Sequence, residues 1–303
     1  MNNFKSRSAI LIYLVILISG IFYANSDQPL ESSTQKSKIP SSIETSPQQI
    51  NALTARPTSP ACSSDILIES ESKMDAKIVR IYDAGRRMRE IQSEFKNRVT
   101  ELRSQINLLA GNPKQEFYVL AYFANAKQCF YKSKNKKLSE FSDQERETFN
   151  QECGQIESDY VNTPLLIFDR LLLEKTPTVR TYIAMTAIEL SRFYKLSGEV
   201  ELTEHSNGLL KLAKKEGEEA AQSGVVDANL LMAMAYDEGL FGENDRVKSF
   251  VYLRRANAML PSQSVEKVII EVKGRMSSTE LKVANNIENT CFSNSSKFAN
   301  PFG

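Results

Sequence analysis

The stretch DANLLMAMAYDEGLFGENDRVKSFVYLRRANAM, Asp227 to Met259, decides the fold. Small residues recur at Ala228, Ala233 and Ala235. Tyr236 closes the first segment, Gly239 and Gly242 interrupt it, and Asp245 opens a second, whose inner face is Ser249, Tyr252, Leu253 and Ala256. Two helices that cross closely need small side chains where the backbones meet and large ones where gaps remain. Glycine lets the chain reverse between them at little steric cost. The stretch therefore predicts a helix hairpin, with Ala228, Ala233 and Ala235 at the close approach, Tyr236 as filler, and Lys248 on the outer face.

Working outward, a helix is expected from about Glu204 to Gln222, and before it VRTYIAMTAIELSRFYK, Val179 to Lys195, places Ile183, Ala187, Leu190 and Tyr194 on one face. Between Pro164 and Pro177, LLIFDRLLLEK reads as a short apolar helix. Ser142 and Glu145 stand at capping-box spacing and start a helix through Phe149, Cys153 and Ile156. Residues 114–132 form another, followed by the basic run Lys132 to Lys137, read as a solvated helix end favoured by the macrodipole. From Met74 to Leu109, apolar or small residues recur at threes and fours, interrupted at Gln92, which predicts one long amphipathic helix ended by AGNP at Ala110 to Pro113. Its stripe either packs on the rest of the chain or joins two protomers as a coiled coil.

The residues of the opening stretch resemble the Sel-one-like repeat, a tetratricopeptide-like helix pair. Ala228, Met232, Ala233, Tyr236, Gly239, Asp245, Lys248, Ser249, Tyr252, Arg255 and Ala256 fall at its signature positions, and EEAAQSG, Glu218 to Gly224, looks like the close of a preceding repeat. Ala233 and Ser249 stand where the repeat usually has glycine and alanine, and the second turn glycine is displaced. The resemblance implies an all-α fold, a short α/α helical-repeat solenoid that binds proteins or peptides and has no catalytic residues. On this reading a partner groove lies near Tyr236, Glu238, Tyr252 and Arg255. The expected organisation is a signal peptide over 1–26, a disordered tether over 27–64, the long helix over 65–110, degenerate repeats over 111–223, the clear repeat over 224–260, C-terminal helices over 261–293 and a disordered tail over 294–303.

The N-terminus gives an address. Lys5 and Arg7 precede the uncharged run Ala9 to Ala24, which has the length of a signal h-region and is short for a membrane span. Ala24 and Ser26 are the small residues of a cleavage site after Ser26, so the chain is expected in the periplasm or secreted. If Phe22 and Tyr23 block cleavage, it stays anchored to the inner membrane. No cysteine stands there to carry a lipid. The tether is rich in Ser, Thr, Pro and Gln and too poor in apolar side chains to offset the entropy of ordering.

The 303 residues can bury roughly 70–75 % of their unfolded surface without a metal. With 38 Lys and Arg against 37 Asp and Glu, nothing electrostatic favours nucleic acid as a partner. His205 is the one histidine, read as a surface residue at a helix start, and no cysteine or carboxylate stands at metal-ligand spacing from it. There is no G-x-S-x-G, no glycine-rich phosphate loop and no C-x-x-C. Asp237 with Glu238, and Glu145 with Glu147, read as solvated carboxylates. No cofactor and no metal are expected. Two other roles stay open: a cell-envelope enzyme such as a peptidoglycan-active hydrolase, which needs two carboxylates converging in a deep cleft, and a structural dimer through the long helix.

Four cysteines in an exported chain predict disulfides. Across a turn near 138–142, Cys129 and Cys153 each lie roughly 12–16 Å away at 1.5 Å per residue, level on an antiparallel pair. That predicts a Cys129–Cys153 bridge, and leaves Cys62 with Cys291.

Overall fold

The computed structural model describes residues 81–135, 140–197 and 200–289, and every regular element among them is helical. The signal segment, the tether, Cys62, Cys291, Lys136, Lys137 and the C-terminal tail lie outside the described residues.

The expected single helix from Met74 to Leu109 is two helices where it is described, α1 (Ile81–Glu94) and α2 (Val99–Leu108). Between them Asn97 has φ 64°, a left-handed conformation that asparagine tolerates better than most residues. The break keeps both stripes on the core: Ile81, Ala84 and Met88 are buried before it, and Phe95, Val99, Leu102 and Ile106 at or after it. Gln92 is not a defect in the seam, because its side-chain amide donates to Asn125 Oδ1 at 2.9 Å. The stripe of α1 packs on α3 (Gln115–Asn135) within the chain, so it is not free to form a coiled-coil seam with a second copy.

Helix α3 is buried on most sides, with Val119, Leu120, Ala121 and Ala126 at 0 % exposure. At its start the Gln115 amide donates to the carbonyls of Ile106 and Leu171, both at 3.2 Å, which ties three segments together. Ser142 and Glu145 form the expected capping box on α4 (Asp143–Cys153). Cys129 and Cys153 are disulfide-bonded, their Cα atoms 5.8 Å apart. Two short helices follow, α5 (Ser158–Asn162), which the sequence pattern had not suggested, and α6 (Leu166–Leu171). Tyr160 of α5 is buried against Tyr122 with ring centroids 6.0 Å apart, and this single aromatic anchor explains a helix too short to show periodicity.

Thr176 then caps α7 (Pro177–Ser197), its hydroxyl accepting from Val179 N–H at 3.3 Å, with Pro177 at the first helical position. Helix α8 (Val200–Gln222) starts four residues earlier than expected and lies along α7. The pair is closed by small groups: the hydroxyls of Ser191 and Ser206 bond at 2.7 Å, and a Cβ placed on Gly217 would meet Met232 Sδ at 2.4 Å. Lys127 of α3 reaches Glu189 of α7 as a mostly buried ion pair.

The opening stretch forms α9 (Val226–Asp237) and α10 (Arg246–Met259), with Asp245 accepting from Lys248 N–H at 2.9 Å as cap. Gly239 has φ 68°, and a Cβ there would fall 2.5 Å from Asn244 Oδ1, so the turn requires glycine. Ala228, Ala233 and Ala235 are 0–2 % exposed. Ala233 meets Phe250, Leu253, Val265 and Ile269 in one apolar cluster, which extends over α11 (Gln263–Gly274) and α12 (Ser278–Ile287). Ser277 and Glu280 cap α12 with a full capping box, and those bonds hold the Glu280 carboxyl below its ordinary range. From α7 to α11 each helix packs on the next in the chain.

Candidate functional site

The four residues expected to line a groove divide. Tyr236 is 4 % exposed: its phenol bonds the Glu218 carboxylate of α8, its ring stacks on Tyr252 at 5.8 Å, and Phe241 meets its edge at 5.3 Å. Burial first, and then the Glu218 carboxylate, push its pKa well above that of a free tyrosine. Arg255 is 7 % exposed, with its guanidinium 3.4 Å from the Ala221 carbonyl and 6.0 Å from the Tyr252 ring. Tyr236 and Arg255 are therefore core at the α8–α9–α10 junction, with half-buried Tyr252 packed against them, rather than the lining of an open groove. The reason is geometric. Ala220, Ala221 and Ala228 leave a gap that a tyrosine fills, and a filler cannot also face a partner.

Glu238 points elsewhere, to an ion pair with Arg192 of α7. Its neighbour Asp237 accepts from Arg275, beyond α11, at 2.8 Å. The two carboxylates thus diverge to different partners. Glu145 caps α4, while Glu147 accepts from Gln151 on the same helix.

An open cleft lies instead where four segments converge. Lys134 closes one end of it, residues 162–165 form one wall, and Leu190, Phe193 and Tyr194 of α7 with His205 and Leu209 of α8 form the other, around about 430 Å³. Pro164 follows the end of α5, where it cannot continue the helix, and Tyr160 of that helix is buried. Phe193 is fixed edge-on against Phe130 and Tyr131, with ring centroids 5.9 and 5.7 Å away. Burial raises the pKa of the Tyr194 phenol, which keeps it a neutral donor. Asn162, Thr163 and Tyr194 supply hydrogen-bonding groups, and the lining has no carboxylate. Lys127 and Lys132 each face a glutamate, whereas Lys134 makes no ion pair among the described residues. The cleft can hold apolar groups and satisfy a few polar ones.

His205 is exposed, as expected, but it is the sixth residue of α8 and faces the cleft rather than starting the helix. Half of the cleft was readable, since Leu190 and Tyr194 share the face assigned to α7. The other wall was not, because nothing in the spacing of residues 162–165 shows which helix they cross.

A buried polar junction was also missed. The Ile81 N–H donates to Asp227 Oδ2 at 2.8 Å, joining the start of α1 to the first turn of α9. Near it Tyr182 is buried, and its raised pKa comes chiefly from burial, opposed by the charge of Arg89 and reinforced by that of Asp227. Among the described residues no group of three His, Cys, Asp or Glu is placed to hold a metal ion, and no helix is long and apolar enough to cross a membrane. Comparison with protein families, with curated proteins and with solved structures finds no match for this chain.

Proposed function

We propose that this chain is an exported, non-catalytic helical-repeat protein that binds another protein or a peptide in the periplasm. The observation that carries the reading is the cleft between residues 162–165 and the α7–α8 pair, lined by Leu165, Leu190, Phe193 and Leu209 together with amide and hydroxyl groups, Lys134 and His205, and without a carboxylate. Ligand sites of this kind are concave and mostly apolar, with few polar groups fixing orientation. The successive packing of α7 to α11, with a glycine turn and an aspartate cap at the α9–α10 hairpin, supports a Sel-one-like, short solenoid architecture. The basic-then-apolar N-terminus and the Cys129–Cys153 bond support export to an oxidising compartment. A hydrolase reading would need two carboxylates converging in a cleft, whereas the adjacent Asp237 and Glu238 part to Arg275 and Arg192.

Site-specific photocrosslinking in the native envelope tests this reading. A photoreactive phenylalanine analogue at Phe193, inside the cleft, is expected to form an adduct with a polypeptide. The same analogue at Lys248, on the outer face of α10, is expected to form none. Equal adducts at both positions, or none at Phe193, would refute the cleft as a partner site.

A further inference from the structure

Helix α4 is attached to the rest of the chain in an unusual way. Of its eleven residues only Cys153 is buried; Phe149 and Glu152 are half-buried and the rest are exposed. Among the described residues, the disulfide and the Lys132–Glu152 ion pair at 2.6 Å join its side chains to α3, while Arg146 and Phe149 reach Phe141, just outside the cap. A part-exposed ion pair contributes little, and an isolated helix of this length does not persist in water. The next firm anchors come after it, at Gln155, which accepts from Thr100 N–H at 3.2 Å, and at buried Ile156 and Tyr160.

We infer that the Cys129–Cys153 bond is a latch and an exchange site for a dithiol reductant: α4 is docked while the bond is closed and leaves as a unit when it opens, with the rest of the fold intact. Both cysteines are 3 % exposed, so a reductant reaches a sulfur only during transient opening of α4. One thiolate of the dithiol attacks a sulfur of the bridge and forms a mixed disulfide, releasing the other cysteine as a thiolate that is protonated. The second thiol of the reductant then displaces the remaining cysteine. The products are two cysteine thiols and one oxidised dithiol, a balanced two-electron exchange. The chain loses a helix, not its core.

Hydrogen exchange on the full mature chain tests the latch. The Cys129→Ser/Cys153→Ser variant leaves Cys62 and Cys291 untouched. Amides of residues 146–153 are expected to exchange at least about a hundredfold faster than in the parent, while those of α7, α9 and α10 keep their protection. Dithiothreitol on the parent is expected to give the same local loss. A Phe149→Ala variant with the bridge intact should stay within about tenfold of the parent in α4. Retained protection of α4 without the bridge overturns the proposal. So does loss of protection throughout the chain, and so does loss of α4 in Phe149→Ala.

Discussion

Two glycines of α8 should respond to the same substitution with opposite sign. Gly208 is exposed, and a Cβ there meets nothing within 4 Å, whereas at Gly217 it would lie 2.4 Å from Met232 Sδ and 3.4 Å from Ala184 Cβ. In an open helical position, Gly→Ala removes the entropic cost of glycine and stabilises by about 0.5–1 kcal/mol. At Gly217 that gain is set against the displacement of a thioether that must retreat by about an ångström to reach ordinary contact. Met232 is fully buried, so the retreat has no open space to use, and overpacking of this kind costs about 1–3 kcal/mol. Gly208→Ala should therefore raise the urea midpoint, and Gly217→Ala should lower it, with a net loss of stability of about 0.5–2 kcal/mol. In Tm each should move by a few degrees. Met232→Ala in the Gly217→Ala background should recover part of the loss beyond additivity, a coupling of about 1 kcal/mol or more. If both alanine variants shift in the same direction, the three-way approach of α7, α8 and α9 at Gly217 is wrong.

Three further outcomes follow from the packing. Ala233→Leu, in the α9–α12 cluster, should cost about 1–3 kcal/mol, and Lys248→Ala, exposed on α10 with its ammonium 4.8 Å from the Tyr236 ring centroid, under about 1 kcal/mol; equal midpoints would contradict the faces assigned. Asp227→Ala should cost about 1–3 kcal/mol by orphaning the Ile81 N–H, and exchange should speed up first at the start of α1. Tyr236, Tyr182 and Tyr131 have folded-state pKa values above their unfolded values, chiefly through burial, so above about pH 10 the unfolded chain loses protons that the fold retains. Their contribution is complete below that pH and declines above it. Denaturation midpoints at pH 9 and 11 should show this, with less decline in Tyr236→Phe.

Local signals survived into the structure where the physics is local. Capping boxes at Ser142 and Ser277, the aspartate cap at Asp245, and the alanines of α9 all act within a few residues of themselves. The Cys129–Cys153 bridge was also legible, because a short turn fixes which residues stand level across a helix pair. What failed was the step from a resemblance to a surface. Tyr236 and Arg255 fill the junction of α8, α9 and α10, and that role buries them. The long-helix expectation failed at Asn97 for a different reason. A seam at threes and fours is compatible with a straight helix or with two shorter ones meeting at a left-handed residue, and packing on α3 chooses the second. The cleft depends on which segments cross, information that no single periodicity contains.

The bond from Ile81 to Asp227 spans 146 positions of sequence. An array in which each helix touches only the next would peel from its ends, and tension on its first helix would be absorbed one unit at a time. Here tension on Ile81 is delivered both to the opening turn of α9 and, through the packing of α1, to α3 and α7, in parallel with the covalent chain. Under force the chain should therefore resist as a closed loop and yield abruptly, rather than unravel in steps from its N-terminal side.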